Sequence, residues 1–273
     1  MDDIPPRSYG PLTETTLRIV TWNVWGRYGP WPEREAAIVT ALQEARPDIL
    51  VLTESWAKGA DSQCARLAGP LGLPHHTFSG VTAQEDQAAL SGVAVMSCWP
   101  IRRESSLTFG GARVQFAELS GPRGLIQVYG LVMDAWWFDQ SQARQQAVRD
   151  LLTCINEAQD KRAPLIVCGD FNADPDSDEI HMLTGRTTAP APGLSFYDAW
   201  EVAGPPAPGA TWSNDNPWAT QLLWPNRRID YIFSATPRPG GAGHPMRTAL
   251  LGTQPINNTY PSDHYALQAD LRY

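Results

Sequence analysis

The sequence predicts an α/β fold in which mixed β-sheets pack face to face and helices cover their outer surfaces. Short apolar runs typical of buried strands recur along the chain, and segments with helical spacing of apolar residues separate several of them. No linker, repeat or low-complexity segment divides these elements. We therefore expect one domain over residues 17–273. Residues 1–16 are polar and contain prolines, and we expect this N-terminal segment to be flexible.

The composition is that of a folded, acidic protein. The 273 residues are 42% hydrophobic and 18% charged, with a formal net charge of −8, which excludes disorder for most of the chain. Because there is no basic segment followed by an apolar run, and no apolar stretch of membrane-spanning length, we expect a cytoplasmic protein without membrane insertion. The acidic balance argues against tight, non-specific binding of duplex nucleic acid, although a local basic groove stays possible.

The cysteines predict no metal cluster or disulfide. Their spacing contains no CxxC motif, and two of them lie in apolar, strand-like runs. Buried free thiols are the expected state. The four cysteines are Cys64, Cys98, Cys154 and Cys168.

The first quarter of the chain alternates strands and helices. Leu17–Trp25 is predicted to be a strand that ends at Gly26. A helix then begins near Pro32, because proline and acidic residues suit the first helical turn. The apolar run Ile49–Glu54 is too short for an independent helix and predicts a buried strand, and a second helix is expected near Asp61–Leu71.

A series of strands follows, with a hairpin turn at residues 121–124, where Gly and Pro favour a turn. His75 and His76 precede this series and are interpreted as loop or surface residues. The predicted strands are Gly92–Ser97, Ile101–Phe109, Val114–Leu119 and Leu125–Met133.

The second half contains one long amphipathic helix, predicted from Ser141 to about Ala158 by apolar residues at spacings of three and four. A stiff, proline-rich loop is expected at residues 204–209. The remaining predicted strands are Leu165–Cys168, Arg228–Ser234, Arg247–Leu251 and His264–Leu271.

Polar residues at strand ends carry the functional signal. Each of them alone has a structural explanation, such as an Asx turn or a helix cap. Together, however, carboxylates, amides and an imidazole from separate parts of the chain match what phosphoryl chemistry requires: ligands for a hard divalent cation, donors for phosphate oxygens and a group that orients water. The residues are Asn23, Glu54, Asp170, Asn172, Asp230, Asp263 and His264.

Six short motifs in a fixed order give these residues a family context. They resemble the endonuclease/exonuclease/phosphatase superfamily, whose members include DNase I, abasic-site endonucleases, sphingomyelinases and inositol phosphatases. The resemblance covers about residues 17–273 and implies a DNase I-like, four-layer α/β/β/α sandwich. In addition, Trp137–Ser141 followed by Arg144 resembles uncharacterised bacterial members. The six motifs are Thr21–Asn23, Thr53–Glu54, Ser91–Val95, Gly169–Asn172, Arg228–Tyr231 and Ser262–Tyr265.

The resemblance implies a metal site for Mg²⁺ or Mn²⁺. Glu54 is expected to be the principal metal ligand, with Asn23 beside it. Asp263 is expected to contribute through the metal or its bound waters. The implied activity is divalent-metal-dependent hydrolysis of phosphoester bonds, as in a phosphodiesterase, nuclease or phosphatase.

The same resemblance implies the catalytic groups. Asp170 would orient or deprotonate the attacking water, and Asn172 would hold the phosphate and the attacking oxygen. His264 would donate to a non-bridging oxygen, with its tautomer held by Asp230. Residue chemistry alone also favours this last pair, because a carboxylate fixes an imidazole and favours its protonated form.

One family residue is missing. Many members carry Thr-His-Leu at the end of a central strand, with a histidine that binds the scissile phosphate. Anchoring on the downstream motif places Met133 at the histidine position, and a shift of one residue places Val132 there. Abasic-site endonucleases use a tyrosine there, and Asp134 is a candidate replacement. The change motivates an alternative function, a diverged member that binds a ligand or performs non-hydrolytic biosynthetic chemistry.

Aromatic residues are expected around the metal. Trp25 follows the Asn23 strand, and Trp136 and Trp137 follow the altered strand. Base stacking, a cage for a quaternary ammonium group and a lid that excludes water are the functional interpretations, and loop packing is the structural one. Arg228 is a candidate contact to substrate phosphate. We expect a monomer that acts on a small phosphoester, with single-stranded or damaged nucleic acid as the other candidate substrate.

Overall fold

Two mixed β-sheets pack face to face in the protein, and helices cover both outer faces. The structure, a computed structural model, describes residues 9–133 and 137–273. This arrangement confirms the predicted four-layer α/β/β/α sandwich. No helix among the described residues is both long enough and apolar enough to cross a membrane.

The described residues form thirteen strands and five α-helices, joined by short 3₁₀ turns. In chain order, the strands are β1 (Thr16–Asn23), β2 (Ile49–Lys58), β3 (Asp61–Ser62), β4 (His75–Thr82), β5 (Leu90–Ser97), β6 (Ile101–Phe109), β7 (Ala112–Gly121), β8 (Gly124–Met133), β9 (Leu165–Asp170), β10 (Phe196–Asp198), β11 (Asp230–Ala235), β12 (Pro245–Leu251) and β13 (Ala266–Arg272). The helices are α1 (Trp31–Ala45), α2 (Gln63–Leu71), α3 (Ser141–Ala158), α4 (Asp178–Thr184) and α5 (Ala199–Ala203).

The strand order brings the chain termini together and places parallel pairs at the sheet centres. The first sheet has the order β12-β13-β1-β2-β5-β4, with β3 paired to β2, and the second has the order β10-β11-β9-β8-β7-β6. The pairs β1–β2 and β8–β9 are parallel, whereas their neighbours are antiparallel. Parallel neighbours end at the same sheet edge, so polar residues that follow these strands collect there.

The pleat of each strand divides the core into layers. Val51, Val93, Val128 and Ile166 belong to the cluster between the sheets. Residues of opposite parity pack beneath the helices, with Leu50 in the cluster under α1 and α2. Burial on both faces explains why the central strands are apolar throughout rather than alternating.

The long helices begin where the sequence predicts. Pro32 lies in the first turn of α1 with Glu33, and Arg46 ends the helix in a left-handed conformation. In α3 the predicted apolar stripe, which includes Val148 and Leu151, is buried against the second sheet. Of the four free cysteines, Cys64 and Cys168 are buried, whereas Cys98 and Cys154, also expected to be buried, are partly exposed.

Several short or exposed elements differ from the prediction. His75 and His76 were interpreted as loop or surface residues; His76 is exposed and His75 partly exposed, but both belong to strand β4, which forms the edge of the first sheet. This strand is largely half-exposed, so it lacks the apolar run that marks a buried strand. Helices α4 and α5 and strand β10 are also absent from the prediction, because elements of three to seven residues carry little periodicity.

The described part of the N-terminal segment contacts the rest of the domain. Thr16 already pairs with Arg272 in the first sheet. The amide of Thr13 donates to Gly240 O, and the amide of Tyr273 donates to Thr15 O, each within 3 Å. Within the described residues, the segment from Tyr9 onward therefore makes hydrogen bonds with the domain, and the flexibility of residues 1–16 stays a prediction.

Gly169 in β9 lies so close to the backbone of β8 that a substitution there tests how tightly the two strands pack. Its φ is +140°, and a Cβ added there would lie 1.9 Å from Leu131 O. We expect Gly169→Ala to lower the free energy of unfolding by more than ~3 kcal/mol, because backbone must move. Gly124→Ala is the matched control: its φ is +124° and no atom lies within 4 Å of the added Cβ. Urea titration checks both variants, and equal losses would contradict a steric role for Gly169.

Candidate active site

The predicted site residues lie together at one edge of the two sheets. Asn23 ends β1, Glu54 lies in β2, and Asp170 ends β9. Asp230 begins β11 and is the register partner of Asp170. The segment Ser262–His264 immediately precedes β13 and adjoins β1. The structure therefore brings residues from the first and last parts of the chain to one place.

Two of these residues have unusual backbone conformations. Glu54 has φ 54° and Asn172 has φ 52°, in the left-handed region that non-glycine residues rarely occupy. At Glu54 the pairing of β2 with β5 shifts between Leu52 and Ser55, which is a bulge. Bulges redirect side chains next to functional sites. The bulge explains how Glu54 lies at the cavity although its strand neighbours are buried.

Asn23 joins the two sheets. Its Nδ2 donates to Glu54 Oε1 at 2.9 Å and to Asp170 Oδ2 at 3.0 Å. Its Oδ1 accepts from the amide of Trp25 at 3.0 Å. Since carboxylates accept only, these contacts fix the orientation of the amide. One buried amide therefore sets the distance between two carboxylates from different sheets.

Asn172 is held beside Asp170. Its amide N–H donates to Asp170 Oδ1 at 2.9 Å, and its Nδ2 donates to Met133 O at 2.9 Å. Arg227 donates to Asn172 O at 3.2 Å and pairs with Asp174 at 2.9 Å. These contacts keep the Asp170–Asn172 turn in place at the end of β9.

His264 forms a buried pair with Asp230. Its Nδ1 lies 2.8 Å from Asp230 Oδ2, and both side chains are at most 6% exposed. Burial alone lowers the pKa of His264, but the Asp230 carboxylate outweighs burial and, with nearby carboxylates, raises the pKa to about 10. Because Nδ1 is paired, Nε2 is the nitrogen left for the cavity. The site therefore offers a fixed cationic donor.

The acidic residues lie close enough to disfavour each other's ionisation. Burial, with the Asp230 charge, raises the pKa of Asp170 to about 7. Burial, with the Glu54 charge, raises the pKa of Asp263 to about 6, and burial also raises the pKa of Glu54. A bound cation would relieve this repulsion.

The donor set fits a hard divalent cation. Asp170 and Asp230 place carboxylate oxygens within 4.8 Å of each other, and among the described residues Asp230 Oδ1 is buried without a hydrogen-bond partner. Glu54 and Asp263 face the same cavity. Carboxylate oxygens are the ligands that Mg²⁺ and Mn²⁺ prefer. The residues present thus match the expected metal, with Glu54 as the most exposed of these carboxylates.

A cavity of about 550 Å³ opens above these residues. About half of its lining residues are aromatic or apolar, and the basic side chains among its described lining residues are Arg113 and His264. The apolar and aromatic lining consists of Trp25, Tyr28, Val81, Ala83, Val132, Met133, Trp212, Leu222, Trp224 and Ile229.

The tryptophans near the cavity pack against neighbouring rings, and several of them also line the cavity. Trp25 stacks on Tyr28 with ring centroids 5.8 Å apart, and Trp212 packs edge-on against His264 at 5.1 Å. Trp137 is 48% exposed and contacts Trp224 edge-on at 6.2 Å. Trp136, a predicted substrate contact, lies outside the described residues, as does Asp134.

Arg228 does not face this cavity, which corrects its expected contact with substrate. Its guanidinium is buried, forms an ion pair with Asp198, and lies 3.7 Å from Glu201. It also packs on the Tyr231 ring at 4.9 Å. Because Arg228 is buried, paired with a buried carboxylate and absent from the lining of the cavity, its observed contacts are structural.

Val132 and Met133 both contribute atoms to the cavity lining, but the pleat of β8 directs their side chains to opposite sides of the sheet. Met133, expected at the position of the family histidine, packs in the cluster beneath α3. Val132 packs between the sheets and is the register partner of Asp170. Neighbouring strand residues in register point to the same side, so Val132 occupies the place from which a histidine would reach the phosphate. Counting back from the Trp137–Ser141 motif gives Met133, which is one residue away from Val132 and points to the other side of the sheet.

Sequence reasoning also missed some lining residues. Tyr28, Val81 and Glu85 come from loops and from the unpredicted strand β4. Arg34, in the first turn of α1, is fully buried beneath the site although its sequence context is that of a solvated helix face. The spacing of apolar residues around Arg34 predicts a helix, but it does not show whether the arginine is buried or exposed.

Structure comparison finds the same fold in several solved structures. Truncated TDP2 from Caenorhabditis elegans superposes with a TM-score of 0.74 at 19% identity, covering 96% of this chain and 100% of that one. TDP2 from D. rerio, solved with a single-strand DNA product, gives 0.73 at 20% identity, covering 95% and 100%. The human Nocturnin catalytic domain, solved with bound sulfate, gives 0.67 at 20% identity, covering 95% and 96%.

Sequence comparison supplies the family. No curated protein sequence matches the chain. The model of the Endonuclease/Exonuclease/phosphatase family, however, matches residues 20–264, which include every residue of the site described above. The chain therefore belongs to the Endonuclease/Exonuclease/phosphatase family and is an enzyme of the phosphoester hydrolase class.

Proposed function

We propose that this protein hydrolyses a phosphoester bond with a water molecule oriented by Asp170 and a divalent cation held at Glu54. The observation that carries the proposal is the contact of the Asn23 amide with both carboxylates, at 2.9 Å and 3.0 Å. It places a candidate metal ligand and a candidate base at a fixed separation beside the imidazole of His264. Asn23 and Asp263 complete the metal side, directly or through bound waters.

Each residue has a distinct part in the proposed reaction. When bound, Mg²⁺ or Mn²⁺ would neutralise negative charge on the phosphate. Asp170 accepts a hydrogen bond from the attacking water and is itself aligned by the Asn172 amide N–H at 2.9 Å. The Nε2–H of His264 donates to a non-bridging oxygen, because Asp230 holds the opposite ring nitrogen and favours the cation.

The proposed role of Asn172 is to hold the phosphate and the attacking oxygen. Its Nδ2 donates to Met133 O at 2.9 Å and lies 3.4 Å from Asp170 Oδ2. The longer contact, to Asp170 Oδ2, is the weaker one, so a substrate oxygen would replace Asp170 Oδ2 as the acceptor of this hydrogen bond. This role makes Asn172 a link between the phosphate and the group that orients water.

We propose a small phosphoester as substrate. Basic side chains at the described lining of the cavity are Arg113 and His264, whereas Glu54, Glu85, Asp170 and Asp263 are acidic. Such a balance provides few contacts for a long polyanion. Trp25 and Trp137 would contact the group attached to the phosphate. Single-stranded nucleic acid is the competing substrate, because aromatic rims also stack bases. The proposed form is a cytoplasmic monomer.

Metal dependence and the acidic ligands are tested together. With bis(p-nitrophenyl) phosphate, EDTA should abolish hydrolysis, and Mg²⁺ or Mn²⁺ should restore it. Glu54→Gln and Asp170→Asn should each lower kcat/KM by ~10²–10³, since each removes a charge that acts at the reacting phosphate. The control is Asp270→Asn, whose carboxylate pairs with Arg18 at 2.7 Å in β1. Full activity after EDTA, or an equal loss in the control, would contradict the proposal.

The His264–Asp230 pair should behave as one unit. His264→Gln removes the cationic donor and should lower kcat by ~10²–10³. Asp230→Asn removes the group that orients the ring, so it should lower kcat as well. Because Asp230 acts through His264, the double variant should lose no more activity than His264→Gln alone. Losses that multiply in the double variant would show that Asp230 acts independently, for example on the metal.

The position of Val132 predicts a gain of function. Val132→His would place an imidazole beside Asp170 on the side of the strand that faces the site, and we expect kcat/KM to rise ~10-fold or more, because one phosphate donor is added. Met133→His is the matched control: its side chain packs beneath α3, so it should lower stability without raising the rate. The same substrate and a thermal melt check both variants. A gain from Met133→His instead would overturn the assignment of parity.

A further inference from the structure

Arg34 is a buried cation beside the active site that the proposed reaction does not use. It lies in the first turn of α1 and is 1% exposed. Arginine is almost never fully buried unless it is paired, so the burial requires an explanation. Burial lowers the pKa of Arg34 to about 10, and the charges of Asp263 and Glu54 oppose that decrease. The guanidinium is therefore charged at neutral pH.

The partners of Arg34 are backbone carbonyls on both sides of the site. On one side, Nη1 donates to Val24 O at 2.9 Å, and Nη2 donates to Trp25 O and Gly26 O at 3.0 Å. Nε and Nη2 both donate to Tyr28 O. This segment, residues 24–28, begins directly after Asn23.

The other side is the segment before β13. Nη1 of Arg34 also donates to Pro261 O at 3.0 Å. Pro261 is followed by Ser262, whose hydroxyl donates to Asn23 O at 2.7 Å, and then by Asp263 and His264. A single nitrogen of Arg34 thus contacts carbonyls that flank Asn23 and Asp263. The planar fork of a guanidinium can span two segments in this way, whereas the ammonium of lysine is a point donor.

The segment after Asn23 needs an external constraint. Trp25 has φ 54° and Gly26 has φ 45°, two consecutive residues in the left-handed region. Such conformations persist when the surroundings determine them. The amides of Val24 and Gly26 donate to the carbonyls of Thr53 and Glu54 in β2, and the carbonyls of Trp25 and Gly26 accept from Arg34. The Cζ of Arg34 also lies 4.8 Å from the centre of the Trp25 ring.

We infer that Arg34 is a positioning residue for the metal side of the site: its guanidinium fixes the segment after Asn23 to the segment before Asp263. The inference rests on the proposed function, because it assigns Arg34 to the proposed metal ligands. It touches neither substrate nor metal. Its effect is to hold Asn23 and Asp263, which belong to separate strands, at the separation that a cation requires, and to hold the Trp25 ring at the cavity wall.

The test measures Mn²⁺ affinity and loop protection in the purified full chain. Arg34→Lys keeps the positive charge but removes the planar set of N–H donors that contacts both segments. We expect its Mn²⁺ dissociation constant, from the electron paramagnetic resonance signal of free Mn²⁺, to rise ~10–100-fold, as for groups that orient metal ligands. Amide hydrogen exchange of the metal-free protein should rise in residues 24–28 and 261–264 together. Arg34→Ala should show larger effects, partly reversed by added guanidinium ion.

The matched control is Arg238→Ala. Arg238 is half-buried and, like Arg34, donates to a backbone carbonyl, Ala163 O at 3.1 Å, next to the end of β9 opposite Asp170. It should lower the melting temperature while the Mn²⁺ dissociation constant stays within twofold. An equal rise in this control would overturn the inference, because general destabilisation would then explain both variants.

The remaining outcomes separate the inference from the proposed function. If Arg34→Ala does not fold, Arg34→Lys decides by the same two measurements. Unchanged Mn²⁺ affinity in Arg34→Lys, with a wild type that binds Mn²⁺, would overturn the inference and leave the proposed function intact. A wild type that does not bind Mn²⁺ would overturn the proposed function and the metal part of the inference. Raised exchange of residues 24–28 and 261–264 in Arg34→Lys would then still support the part of the inference in which Arg34 links these two segments.

Discussion

The active site depends on one amide placed between two carboxylates that belong to different sheets. Asn23 Nδ2 contacts both Glu54 and Asp170, and its Oδ1 is held by the backbone. Buried carboxylates repel each other and lose hydration, so a shared neutral donor lets them stay near one another before a cation binds. The packing of the two sheets and the chemistry of the edge are therefore linked at a single side chain.

The sequence predicted the buried parts of the fold because burial leaves a periodic pattern. The central strands and the apolar stripe of α3 follow directly from that pattern. The edge strand β4 was not predicted, because its half-exposed residues do not alternate clearly between apolar and polar. The short helices α4 and α5 contain too few turns for a period to emerge.

The site was predicted as a set of residues but not as a geometry. The left-handed backbone at Glu54 comes from a pairing shift with β5, a long-range property that local sequence does not encode. Arg228 precedes a site residue by two positions, yet its partner Asp198 is thirty residues away and buries it. The choice between Val132 and Met133 required the register with β9. In each case contacts distant in sequence determine where a side chain points.

The pairing of the first strand with the last has a consequence for synthesis. β1 lies between β2 and β13, and Trp22 Nε1 donates to His264 O across 242 positions of the chain. Until the C-terminal residues leave the ribosome, the apolar edge of β1 that β13 will cover is without its native neighbour. Non-local pairing of this kind slows folding and exposes strand edges to association. Asp263 and His264 therefore reach Asn23 only after β13 has been synthesised, in the same event that completes the pairing of β1.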